Sequence, residues 1–217
     1  MFFLLLDSKT SVYIIIANLL SLVIAITVHE FCHAFTADRL GDYTPRSYGR
    51  VSLNPADHID PIGFLAILFL PIGWGKPVPI NPLNFKNPKV GDVIATIVGP
   101  LSHVVMIVLT VILLKISMAF GLIGTTFINN IALQIGVVFI ETNIVLMVFN
   151  FLPIPPLDGY HVFGFFLPSN IRNTIDEFFS RQNFFITIIF LFLIMQVIYP
   201  FIAYIYRIIE TVVLNLL

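Results

Sequence analysis

The sequence predicts an all-α polytopic membrane protein with about five to six transmembrane or re-entrant helical segments. One short Pro-rich segment, irregular or β-like, is expected to associate with the membrane as well. Three observations carry this reading. Of 217 residues, 58% are hydrophobic and only 11% are charged, whereas in soluble domains roughly a quarter are charged. The apolar residues gather into runs long enough to cross a hydrocarbon core of roughly 30 Å, which takes about 20 helical residues. Prolines interrupt those runs in two places, 76–87 and 153–156. With 11 Lys and Arg against 12 Asp and Glu, the formal charge of −1 gives no sign of nucleic-acid binding or of a polybasic tail. Cys32 is the single cysteine, so an intrachain disulfide and a Cys-based zinc cluster are both excluded. Metal chemistry, if present, must use histidine and carboxylate.

The first apolar run extends from about Val12 to Val28, continues into His29-Glu30-Phe31-Cys32-His33, and is expected to end as a helix near Gly41. It is too long for a cleaved signal peptide. Arg39, Arg46 and Arg50 follow it, so the positive-inside rule places the N-terminus outside the cell and the end of this span in the cytoplasm. Pro61 to Gly75 is apolar but too short to cross comfortably, which makes it re-entrant or interfacial. Lys76 to Asn87 cannot be regular helix, because each proline removes a donor and fixes the backbone; it reads as loop or edge strand near the inner surface. A second span is expected over Asp92–Ala119 and a third over Phe127–Leu152, joined outside by Gly121–Thr126 into an antiparallel hairpin. Gly164–Gln182 reads as a cytoplasmic amphipathic turn or short helix capped by Ser169 or Asn170. Asn183–Leu217 is one long span broken at Pro200, or two helices. No internal repeat or linker divides residues 1–217, which read as a single membrane-embedded domain.

His29 and His33 lie four residues apart on a helix, about 40° apart around its axis, where both imidazoles can reach one cation. That is half of a metal site. Glu30 occupies the position that a general base takes in HExxH hydrolases. Three ionisable side chains in one turn at membrane depth are costly unless they are used. A catalytic zinc takes three protein ligands and leaves a fourth position open, so one more ligand must come from elsewhere. Asp158, at the cytoplasmic end of the third span, agrees in depth and side, provided that Pro61–Gly75 does not cross completely.

In order and spacing, HEFCH (29–33), NPADHIDPIG (54–63), GWGKPVPINP (73–82), GPLSH (99–103) and FNFLPIPPLDG (149–159) resemble the site-2 protease family of intramembrane zinc metalloproteases. The resemblance covers about residues 12–200. It implies one zinc ion per chain held by His29, His33 and Asp158, with Glu30 as the catalytic base acting on a zinc-activated water. It further implies a metalloprotease that hydrolyses a peptide bond in or near a transmembrane helix of a membrane-protein substrate, working within the lipid bilayer. The short chain is similar to the minimal prokaryotic type, without a PDZ or CBS domain. The expected location is the cell membrane, multi-pass, with the active site near the cytoplasmic side and the N-terminus extracytoplasmic. Two positions depart from the family's pattern: GPxxN ends here in His103, and Tyr160 follows Asp158-Gly159 where a small residue is usual.

Other residues stay open between chemistry and structure. Asn150 is a candidate for oxyanion stabilisation or substrate positioning, or a helix-end cap. His58 and His103 stand in reserve, His58 as a ligand approaching from the cytoplasmic side or a loop histidine bonded to backbone, His103 as a donor toward the site or packing. His161 reads as a local structural partner, Cys32 as packing, and Glu141 as an interhelical hydrogen-bond partner on nearly the opposite face from Asn150. The Pro-rich segment is either a surface loop or an edge that pairs with an unwound peptide. Two other functional classes are compatible with His29 and His33: a divalent-metal transporter, which predicts ligands spread along a path, and a noncatalytic zinc scaffold, which has no use for Glu30.

Overall fold

The computed structural model describes residues 11–69, 74–123 and 130–181, with scattered helical positions between Leu193 and Thr211. Its helices are α1 (Val12–Arg39), α2 (Thr44–Ser47), α3 (Pro61–Phe69), α4 (Pro88–Ala119), α5 (Ile131–Asn150), α6 (Asp158–Gly164) and α7 (Ser169–Arg181). Single 3-10 turns lie at Pro55–Asp57 and Pro82–Asn84. The protein is an all-α membrane protein: α1, α4 and α5 have 28, 32 and 20 residues and are apolar enough to cross a bilayer. At 1.5 Å per residue even the shortest spans roughly 30 Å. Most of the expected final span, Asn183–Leu217, lies outside the described residues.

Small residues set how closely the helices approach. Along α1, Ala17, Ser21, Ala25, His29, His33 and Ala37 are buried at every fourth position, while Val12, Ile16, Leu20 and Ile24 are exposed. An i, i+4 row is a ridge that packs into a neighbouring groove. α4 meets it with Ala95 and Gly99, which let the two backbones come close, while Gly91 packs against Phe85. The other half of α4 packs against α5, with Ile107, Val111 and Leu114 interleaved among Leu133, Val137, Ile140 and Ile144.

The direction of each helix follows from its partners. Tyr13, near the start of α1, donates to Gln134 near the start of α5 at 2.5 Å. His33, near the end of α1, bonds Ala95, near the start of α4. Thus α1 and α5 run parallel and α4 runs against both. The described residues between α1 and α4 leave and return at one end of the bundle, where Ala37, Phe85 and Ala95 share a core. Within that segment α3 has nine residues, about 14 Å of helix, too short to span the bilayer.

Helix ends show what the sequence resolves and what it does not. α1 ends as expected at Gly41, whose φ of +105° suits glycine. The Asp42 N–H bonds the Ala37 carbonyl at 3.0 Å and the Gly41 N–H bonds Asp38 at 3.2 Å, the Schellman arrangement. α4 starts earlier than Asp92, because the Asn87 side chain caps it by accepting from Val90 N–H. The third span starts later than the sequence suggests: Asn130 is its cap, accepting from Leu133 N–H, and Phe127 lies outside the described residues. In α7 the Pro168 carbonyl takes the first helical bonds, so Ser169 is the first helical residue and neither it nor Asn170 is the cap. Asp158 does not end the third span. α5 stops at Asn150, an irregular stretch follows, and Asp158 opens the separate helix α6.

Candidate metal centre

His29 and His33 project from the buried ridge of α1 and Asp158 from the first position of α6, and one donor atom from each lies within 4.8 Å of the others. His29 Nε2 is 3.0 Å from His33 Nε2 and 3.1 Å from Asp158 Oδ2, and His33 Nε2 is 3.4 Å from that same oxygen. Two ligands of a tetrahedral zinc at about 2.0–2.1 Å stand about 3.3–3.4 Å apart. The triangle therefore has the size of one face of such a site. Asp158 Oδ2 is buried without a hydrogen-bond partner. A buried carboxylate oxygen left unpaired is expensive, and a cation on this face would satisfy it.

The tautomers agree with that use. His33 Nδ1 donates to the Ala95 carbonyl at 2.7 Å, which leaves Nε2 as a lone pair. His29 Nδ1 lies 3.1 Å from His103 Nε2. Gly99 of α4 presses against both ligands: a Cβ there would stand 2.2 Å from His33 Nε2 and 2.8 Å from His29 Cε1. In the sequence Gly99 stands only as the first residue of GPLSH. Nothing in one sequence separates a glycine that admits ligands from one that admits a helix.

Glu30 is half-buried on the turn that carries His29 and His33. The extended segment after α3 passes it. Gly75 pairs with Ile59 in an antiparallel bridge, Lys76 N–H donates to His58 O at 2.7 Å, and a Cβ on Gly75 would come 3.3 Å from Glu30 Oε1. Arg50, only 4% exposed, fixes this segment by donating to the carbonyls of Lys76 and Pro77. Burial pushes the Arg50 guanidinium below its usual value, against the pull of the Glu30 and Asp57 carboxylates. Residues 74–81 thus form a non-helical strap whose Gly75 stands beside the candidate base, and the Pro-rich stretch goes on into the 3-10 turn Pro82–Asn84.

The remaining candidates separate. His58 is fully buried and its Nε2 donates to Ser52 O at 2.7 Å. It is absent from the ligand cluster among the described residues. Asn150 donates from Nδ2 to Leu146 O at 3.0 Å, within its own helix. His161 Nδ1 lies 3.4 Å from Asp92 Oδ2, and Cys32 is half-buried. Tyr160 is buried, and its hydroxyl donates to Asp176 Oδ1 at 2.6 Å. Burial together with the Asp176 carboxylate pushes that phenol up to about 12, so it stays a donor.

Two known proteins resemble this chain. The Bacillus subtilis protein named "Putative zinc metalloprotease YwhC" is 36% identical over 153 residues, which covers 70% of this chain and 70% of the relative. The Mycolicibacterium smegmatis protein named "Putative zinc metalloprotease Rip2" is 31% identical over 142 residues, 63% of this chain and 51% of the relative. No family model and no solved structure matches the chain.

Proposed function

Because the chain belongs to the site-2 protease family of zinc metalloproteases, we propose that it hydrolyses a peptide bond in or near a transmembrane helix of a membrane-protein substrate. The observation that carries the reading is the buried triangle of His29 Nε2, His33 Nε2 and the unpaired Asp158 Oδ2. These three residues would hold one zinc ion. When bound, zinc supplies Lewis-acid polarisation of the scissile carbonyl and a water of lowered pKa.

The residues of the chain do the rest. Glu30, half-buried on the turn between the two histidines, takes the proton from the attacking water and returns it to the leaving amine. α4 closes the back of the ligand cluster at Gly99, where its backbone lies against both imidazoles. Arg50 holds the strap 74–80 against Glu30 and so sets how a substrate backbone approaches. That substrate must be locally unwound, since a helix hides its carbonyls in its own hydrogen bonds. The positive residues that follow α1 support a site open to the cytoplasmic face, with the N-terminus extracytoplasmic.

The test compares wild type with Glu30→Gln for bound zinc and for cleavage of a single-span model substrate in detergent. The expected result is one zinc per chain in both and a cleavage rate about 10²–10⁴-fold lower in the variant. Unchanged cleavage in Glu30→Gln overturns the reading. If instead metal flux into vesicles falls in His29→Ala while Glu30→Gln has no phenotype, the protein is a transporter.

A further inference from the structure

From the side chains behind His29 we propose that His103, oriented by Asn143, is the positioning residue that keeps His29 in the tautomer a metal ligand needs. The inference rests on the zinc reading above and concerns how that site is prepared. Its basis is a run of hydrogen bonds across three helices whose direction is forced at each step. Asn143 Nδ2 donates to the Phe139 carbonyl at 2.8 Å. A carbonyl can only accept, so the amide oxygen of Asn143 is the atom turned toward His103. That oxygen lies 2.9 Å from His103 Nδ1 and also can only accept, so Nδ1 carries the proton. Neutral His103 then presents a lone pair at Nε2, 3.1 Å from His29 Nδ1. His29 Nδ1–H donates into it, and His29 Nε2 is left with its lone pair facing His33 and Asp158.

Burial makes the arrangement consequential. His103 is 1% exposed and Asn143 0%, so water cannot substitute for either partner. The His29 and His103 rings lie edge to edge, with centroids 5.1 Å apart and planes only 28° apart, close to the geometry an in-plane N–H···N bond requires. The two ligands differ in how they are set. His33 is fixed by a backbone carbonyl, beyond the reach of side-chain substitution, whereas His29 depends on two side chains from α4 and α5. Without an acceptor at position 103 the His29 proton can move to Nε2, where it competes with the metal.

The experiment uses full-length protein in detergent with ¹⁵N-labelled imidazoles. It reads the His29 nitrogen shifts in the metal-free state and zinc affinity by competition with a chromophoric chelator. His103→Leu should weaken zinc binding about 10–100-fold and move the His29 signals away from a pure Nδ1–H form. His103→Gln places an amide oxygen near the position of Nε2 and should restore affinity to within about threefold. Asn143→Leu, with His103 in place, should shift the same His29 signals. Wild-type shifts and affinity in His103→Leu overturn the proposal, as does a Gln variant as weak as the Leu one, which would leave only packing. If His103→Leu does not fold, wild-type His29 shifts in Asn143→Leu overturn it. A wild type that binds no zinc overturns the function itself, a result distinct from either.

Discussion

At Gly99 there is no room for a single methyl group: a Cβ would overlap the Nε2 atom of His33 and crowd the ring of His29. The imidazoles cannot yield, because His33 is tied to Ala95 O and His29 to His103. Gly99→Ala should therefore lower zinc affinity at least about 100-fold and destabilise the metal-free protein by about 1–3 kcal/mol, the usual effect of overpacking. Zinc content after purification and a thermal melt check both. Wild-type zinc content in this variant would mean that the ridge on α1 can slide. The contrast with His29 and His33 shows what the sequence makes legible. Two histidines four apart reveal a shared face because helical geometry is local. The role of Gly99, and of His103 and Asn143 behind His29, depends on which helix lies opposite, and no spacing within α4 or α5 encodes that.

Among the elements, α6 is the one the sequence hides. Its seven residues are too few for a periodic signal, and the prolines before it read as the end of a span. Yet it begins with Asp158, and each of the next three residues anchors it. A Cβ on Gly159 would meet the carbonyls of Phe151 and Leu152 at 2.4 Å, Tyr160 bonds Asp176 of α7, and His161 faces Asp92 of α4. Arg172 joins the same Asp92 oxygen at 3.6 Å. The residue that departs from the family's pattern, Tyr160, is thus the bolt between the Asp158 helix and α7. Tyr160→Phe removes one charge-assisted hydrogen bond, worth roughly 1.5–3 kcal/mol in stability. It should weaken zinc binding several-fold while His29 and His33 are untouched, as measured by the same chelator competition. Equal affinity in both proteins would show that α6 is held without α7.

The junction after α1 makes a second prediction at this scale. Asp42 is fully buried and accepts from Thr44 N–H and hydroxyl, Asn81 N–H and Asn84 Nδ2, at 2.6–3.1 Å. It ties the end of α1 to the segment that leads into α4. Burial works against its charge, but these four donors outweigh it and hold the carboxyl below its usual range. A depressed folded-state value means that the stabilisation is complete above the unfolded value of about 3.9 and is lost as pH falls through the folded one. Asp42→Asn should cost about 1–3 kcal/mol at neutral pH, with the difference from wild type closing below about pH 4. Denaturant melts between pH 3 and 7 provide the check, and a gap independent of pH would show that the charge of Asp42 is irrelevant.

Across the whole molecule, the ends of the bundle differ in their share of Lys and Arg as well as in chemistry. Arg39, Arg46, Arg50, Lys76, Lys86, Lys89 and Arg172 belong to the end where residues 40–87 and α7 gather, out of 11 Lys and Arg in the chain. The same end carries the strap beside Glu30. The clustering of Lys and Arg is legible in the sequence because charge bias is a property of composition, whereas the parallel course of α1 and α5 shows only in contacts such as Tyr13 with Gln134. An intervening segment that crossed the bilayer would have reversed α4 and separated Asp158 from the histidines. Sidedness is therefore testable without any substrate. In a Cys32→Ser background, Ser11→Cys precedes α1 and Ser47→Cys lies in the exposed turn after it. A membrane-impermeant maleimide applied to intact cells should label Ser11→Cys and leave Ser47→Cys unlabelled until the membrane is opened. The reverse pattern would turn the ligand cluster toward the outside. Labelling of both from one side would mean that α1 does not span the bilayer, and would remove the membrane-depth argument from the site altogether.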